Sequence, residues 1–179
     1  KKAGDNPHLW YNPATVKAVG NALSVGLAMI DPAHRADYQR GAAAFAASLE
    51  PLEAKIADMR KKYAGQPVAA SEPVFGYMAE LLGLKVHNEK FALAVMNNTE
   101  PSASDIAAFE KDLRAKQVRV LIYNSQATEA LTQRMLKLAR QSHVPSVSVT
   151  ETKPPHKNFQ QWMLSQLDEL SAALESKGQ

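Results

Sequence analysis

After Gly65 the chain alternates short apolar runs with amphipathic helical segments, and this alternation limits the fold more than any other feature. Val118-Arg119-Val120-Leu121-Ile122-Tyr123 is the clearest buried strand. Residues 67–71, 84–88 and 146–150 read as three more, bounded by Gly, Pro, Asn or Ser. Helices are expected over 73–82, closed by Gly83 in the C′ position, and from Ser102-Ala103-Ser104-Asp105 onward, with Ile106, Phe109 and Leu113 inward. Two more cover 127–142, with Leu131, Met135 and Leu138 inward, and 157–175. Phe91 to Val95 reads equally as strand or irregular chain. Strands joined through helices run parallel, so the expectation is an α/β fold: a parallel four-stranded sheet with helices on both faces.

The first 64 residues have a different texture. Asn12-Pro13 is a helix cap followed by proline at the first helical position, opening a helix over 13–30 with Val16, Val19, Leu23, Leu27 and Ile30 in register. Asp31-Pro32 repeats the signal. The apolar stripe Tyr38, Ala42, Phe45, Leu49, Leu52, Ile56, Met59 and Tyr63 then predicts one long helix over 32–63, on the order of 45 Å at 1.5 Å per residue. Pro51 should kink it, because the proline ring clashes with the preceding turn. Such a rod suits a spine between two lobes, and equally an amphipathic helix on one core or a short coiled coil. The division expected is 1–64, the segment of the His8 motif with the leading and connecting helices, and 65–179, a C-terminal α/β lobe.

Several function classes are poorly served by this chain. The net charge of +3 is mild and the basic residues are spread along helices, so nucleic acid finds no patch. No uninterrupted apolar run approaches the roughly 20 residues that cross a bilayer. With no cysteine, any metal must be held by nitrogen and oxygen.

Those donors have candidate positions. Asn6-Pro7-His8-Leu9-Trp10-Tyr11-Asn12-Pro13 stiffens the backbone around His8, which suits an imidazole that meets a fixed partner; an ordinary turn with His8 packed on Trp10 gives the same pattern. In parallel sheets, ligands bind beyond the carboxyl ends of the strands. Glu72 follows strand 67–71, Glu151 follows strand 146–150, and Asn124 ends strand 118–123, all on one edge. A lone glutamate at a strand end is ordinarily solvated, but two beside a presented imidazole form a cluster.

These residues resemble the periplasmic metal-specific solute-binding proteins of bacterial zinc and manganese ABC transporters. Residues 6–13 are similar to the family's Asp-Pro-His-x-Trp-x-Asp-Pro signature, whose histidine ligates metal. Glu72-Pro73-Val74-Phe75-Gly76-Tyr77 resembles the segment carrying the third ligand, where zinc members place histidine and many manganese members glutamate. Glu100-Pro101-Ser102 matches the Glu-Pro-Ser opening of a later helix, and Glu151 falls where the family has its fourth ligand, usually aspartate. The resemblance implies metal ligands His8, Glu72 and Glu151, supported by Trp10, Asn124 and Tyr77. It implies capture of Mn²⁺, Zn²⁺ or Fe²⁺ for an ABC-transporter permease by a periplasmic protein or cell-surface lipoprotein. Members are longer and two-lobed, so it also implies a fragment without the first lobe and its histidine ligand, self-associating through the apolar face of helix 32–63.

Carboxylate-rich coordination leans toward Mn²⁺ or Fe²⁺, although Zn²⁺ binds most such sites more tightly. Two carboxylates at close range repel, so one carboxyl group should titrate high when no cation is bound. His34, His87, His143 and His156 are weaker ligand candidates. Two rival functions remain at this stage: a metal-dependent hydrolase with Glu72 or Glu151 as general base, and a non-catalytic, adhesin-like interaction module.

Overall fold

The computed structural model describes residues 6–127 and 129–176. Lys1–Asp5, within the expected 1–64 segment, and Thr128, within the expected helix 127–142, lie outside them. Four strands, β1 (Pro67–Ala70), β2 (Lys85–Val86), β3 (Leu121–Asn124) and β4 (Ser146–Val149), pair in the order β2-β1-β3-β4, every pair parallel. The sheet is the one the sequence predicts.

Alternation along each strand splits the core in two. Val68, Val120, Ile122, Val147 and Val149 face one side, packed with Leu52, Ile56, Met59 and Tyr63 and with Trp162, Leu167 and Leu170. Ala69 and Leu121 face the other, against Phe91, Phe109, Leu113, Met135 and Ala139.

Eight helices complete the described chain: α1 (Pro13–Ile30), α2 (Arg35–Ser48), α3 (Glu50–Tyr63), α4 (Gly76–Leu81), α5 (Glu89–Met96), α6 (Ala103–Arg114), α7 (Ala130–Gln141) and α8 (Phe159–Glu175). Asn12 caps α1 by accepting from Ala14 N at 3.0 Å, Ser102 caps α6, and Asn158 with Gln161 closes a reciprocal capping box on α8. Gly83 has φ +69°, the left-handed conformation required past the end of α4. Residues 91–95 are neither strand nor irregular. They lie in α5, with Phe91 and Ala92 buried and Val95 packed on the same core.

The helix expected over 32–63 is two helices. A short 3-10 turn, Pro32–His34, precedes α2, and the rod breaks at Leu49 rather than kinking at Pro51. Pro51 has no N–H for Ala47 and its ring crowds that carbonyl, so the preceding helix ends and Pro51 sits in the first turn of α3. After the break, α3 lies on α8 and α2 turns back along α1.

This corrects where apolar surface is exposed. The face of α3 is buried, and Tyr38 and Phe45 on α2 are partly covered, while α1 exposes Leu23, Val25, Met29 and Ile30, the last at 84%. By length and composition alone α1 would also pass for a bilayer-crossing helix, which counting only uninterrupted apolar runs did not register.

Candidate metal centre

The direction in which successive strands are added to the sheet reverses between β1 and β3. β2 lies on one side of β1, β3 returns to the other, and β4 lies beyond β3. The carboxyl ends flanking such a switch point leave an open crevice. Glu72, Asn124 and Glu151 all stand at those ends.

Register sets their heights. Ala70 pairs with Ile122 and Ile122 with Val147; two residues on, Asn124 pairs with Val149. Glu72 is extended (φ −148°, ψ 160°), so it stands level with Asn124, whose Nδ2 donates to Glu72 Oε2 at 2.8 Å. Glu151 is two residues beyond Val149, past the paired end of β4. Its side chain is 47% exposed, whereas Glu72 is half-buried.

His8 comes from the N-terminal segment and is buried at 3% exposure. Asn6 Oδ1 accepts from the His8 backbone N–H at 3.1 Å, and Asn6 Nδ2 donates to the Pro73 carbonyl at 2.7 Å, which together settle the orientation of this amide. The same Oδ1 is 2.6 Å from His8 Nδ1, so Nδ1 carries the proton. His8 Nε2 therefore points outward, and it meets Glu151 Oε1 at 3.3 Å across 143 residues of sequence. In the neutral imidazole this is a lone pair facing a carboxylate oxygen. Two acceptors at that distance require a proton or a cation between them.

Trp10 meets the His8 ring edge-on at 5.3 Å between centroids, and its Nε1 is buried without a hydrogen-bond partner. The Tyr77 hydroxyl donates to the Asn6 carbonyl at 2.8 Å and so braces the residue that orients His8. Among the described residues, no three His, Asp or Glu side chains converge tightly enough to enclose an ion. His8 and Glu151 are in contact; Glu72 stands one step lower, within electrostatic range of both.

The Glu72 carboxyl is held above its ordinary range, as expected of one acid here, but chiefly by burial rather than repulsion. Glu129 and Glu151 push it further up, while Asn124 and His8 pull down. Glu129, ahead of α7, is thus a further carboxylate near the site that the sequence reading passed over. The other histidines lie elsewhere: His34 binds Asp31, His87 binds Asp112, and His143 and His156 take positive φ in turns.

Tyr11 and Gln126 were also missed. Tyr11 is fully buried, packs edge-on against Phe75 and Trp162, and donates to the Thr150 carbonyl at 2.6 Å. Its hydroxyl also lies 2.9 Å from Gln166 Oε1, and burial lifts the phenol well above its usual range. It stands inside the His8 motif, which was the available signal. Gln126, in the loop after β3, carries no motif at all.

The model of the family described as zinc-uptake complex component A, periplasmic (ZnuA), matches residues 1–173. The high-affinity zinc uptake system protein ZnuA of Bacillus subtilis is 23% identical over 124 residues, 69% of this chain and 38% of that protein. The laminin-binding protein Lmb of Streptococcus agalactiae, described as having adhesin and metal-transporting activity, superposes with a TM-score of 0.76 at 18% identity, over 94% of this chain and 65% of its own. FpvC of Pseudomonas aeruginosa, solved with Mn²⁺, gives 0.72 at 22% identity, over 95% of this chain and 63% of its own. At these identities the solved structures establish the fold. The chain spans less than two thirds of each of these proteins. Its family consists of solute-binding uptake components rather than enzymes, and the match over nearly the whole sequence makes the chain a member of the periplasmic zinc-uptake complex component A family.

Proposed function

We propose that this chain captures a divalent transition metal, Mn²⁺, Zn²⁺ or Fe²⁺, as cargo for the permease of an ABC transporter, in the periplasm or as a cell-surface lipoprotein. The observation that carries the reading is the 3.3 Å approach of His8 Nε2 to Glu151 Oε1, with Asn6 Oδ1 at 2.6 Å from the other ring nitrogen. A cation replaces the proton that this pair otherwise needs and takes one nitrogen and one oxygen as ligands. Glu72, held by Asn124 beside the same crevice, supplies the next oxygen once the ion draws it toward the pair. The two carboxylates then serve as ligands and not as general bases. Oxygen-rich coordination admits Mn²⁺ and Fe²⁺, while Zn²⁺ competes through intrinsic affinity. Segment 1–64 brings His8 and the connecting helices, segment 65–179 brings Glu72 and Glu151, and α3 is docked on the lobe.

Metal titration with a thermal readout tests this. A ligand at 100 times its Kd stabilises by about 2.7 kcal/mol, which at about 2–4 °C per kcal/mol raises Tm by roughly 5–11 °C. His8→Ala should abolish the rise for Mn²⁺ and Zn²⁺ alike. An undiminished rise in that variant would reject His8 as a ligand.

A further inference from the structure

Beyond Val149 the chain carrying Glu151 has left the sheet, yet its backbone donors are all occupied. Thr150 N donates to Gln166 Oε1 at 3.0 Å. Glu151 N and Thr152 N both donate to a single acceptor, Gln126 Oε1, at 2.7 and 3.0 Å. Gln126 Nε2 in turn donates to Thr152 Oγ1 at 2.7 Å, closing the amide around the turn.

Thr150 is pinned from several directions, since Tyr11 donates to its carbonyl and Trp162 Nε1 to its hydroxyl at 2.9 Å. Glu151 is different: among the described residues its backbone N–H donates to Gln126 Oε1 alone. Gln126 is itself anchored to the switch point. Its N–H donates to Asn124 Oδ1 at 3.0 Å, Asn124 N donates to Ser71 Oγ at 3.1 Å, and Asn124 Nδ2 holds Glu72. One polar chain therefore joins the ends of β1, β3 and β4, and the glutamine amide is its link to the outer carboxylate.

We propose that Gln126 is a positioning residue of the metal site, setting the height and direction from which Glu151 reaches the cation. The inference rests on the metal-capture reading above. Gln126 is exposed and packs in neither core, so its role separates cleanly from fold stability. Outer partners of metal ligands typically contribute 10–100-fold in affinity.

The test measures Mn²⁺ and Zn²⁺ affinity calorimetrically for the 179-residue chain and for Gln126→Met, Gln126→Glu and His8→Ala, at two salt concentrations. Mn²⁺ electron paramagnetic resonance reports the symmetry of the bound ion. Gln126→Met, similar in length but unable to accept the two N–H bonds, should lose about tenfold in affinity and alter the resonance, while the metal-free melting temperature stays put. Gln126→Glu restores both acceptances and should recover most of the loss at high as well as low salt, which separates positioning from added charge. Gln126→Met binding within twofold of the parent, or a rescue that vanishes at high salt, overturns the proposal while leaving metal capture standing. Unchanged binding in His8→Ala removes the metal-capture reading and this inference with it.

Discussion

Tyr11→Phe isolates one oxygen atom at the junction between core and site. The ring is fully buried and its contacts with Phe75 and Trp162 survive in phenylalanine, so no cavity forms. Lost are the 2.6 Å bond to the Thr150 carbonyl and the 2.9 Å contact with Gln166 Oε1. Gln166 Oε1 keeps the Thr150 N–H, but the Thr150 carbonyl loses the Tyr11 donor. A half-buried carbonyl deprived of its donor costs about 1–3 kcal/mol, toward the low end where water reaches it. With no relaxation, the chain should melt roughly 2–12 °C lower at about 2–4 °C per kcal/mol. Urea denaturation should show a lower midpoint at unchanged slope. Tyr11→Leu additionally removes the aromatic contacts and should lose more, on the order of 3–5 kcal/mol. Because Thr150 precedes Glu151, Tyr11→Phe should also weaken metal binding. A phenylalanine variant as stable as the parent would refute the claim that this hydroxyl ties the N-terminal segment to the end of β4.

Glu72→Gln separates charge from shape. Burial raises the folded-state pKa of Glu72, so its ionisation costs stability, increasingly as pH rises from the unfolded-state value through the folded one. The metal-free variant should therefore be more stable than the parent at neutral pH, by less than about 1 kcal/mol given the remaining solvent contact, and equal to it in acid. It should also bind metal more weakly; a neutral-pH melting temperature below the parent's would contradict the sign. At Gly83, φ is +69° and an added Cβ would sit 3.2 Å from Ala64 Cβ, so Gly83→Ala should cost about 1–2 kcal/mol in chemical denaturation. A cost near zero there would refute the strain. The exposed residues of α1 should drive concentration-dependent self-association, which Met29→Glu with Ile30→Lys should reduce in sedimentation without lowering Tm.

Legibility in the sequence followed the range of the interaction. Strands rich in Val and Ile declared themselves, and so did the helix starts at Asn12-Pro13 and Ser102, because caps and β-branched runs are local signals. The five apolar residues 91–95 form too short a run to display a period, and only packing on Phe109 and Met135 identifies that segment as helix. Pro51 announced a disturbance, but tertiary packing turned it into a break, with α3 committed to α8 and α2 to α1. At the candidate centre, motif and strand-end arguments found His8, Glu72 and Glu151. Register stayed hidden, and with it the offset that leaves Glu72 beside Asn124 and sends Glu151 to His8. Gln126 was invisible because a glutamine in a loop has no distinctive spacing.

The stagger of the two acids has a temporal consequence. In the proposed metal capture, an ion arriving from bulk water would meet the outer carboxylate first, where solvent can still complete its shell, and would reach the inner one only after shedding water. On that reading arrival would be governed mainly at Glu151 and departure mainly at Glu72. Had both acids stood directly at the paired strand ends, those two controls would merge into one.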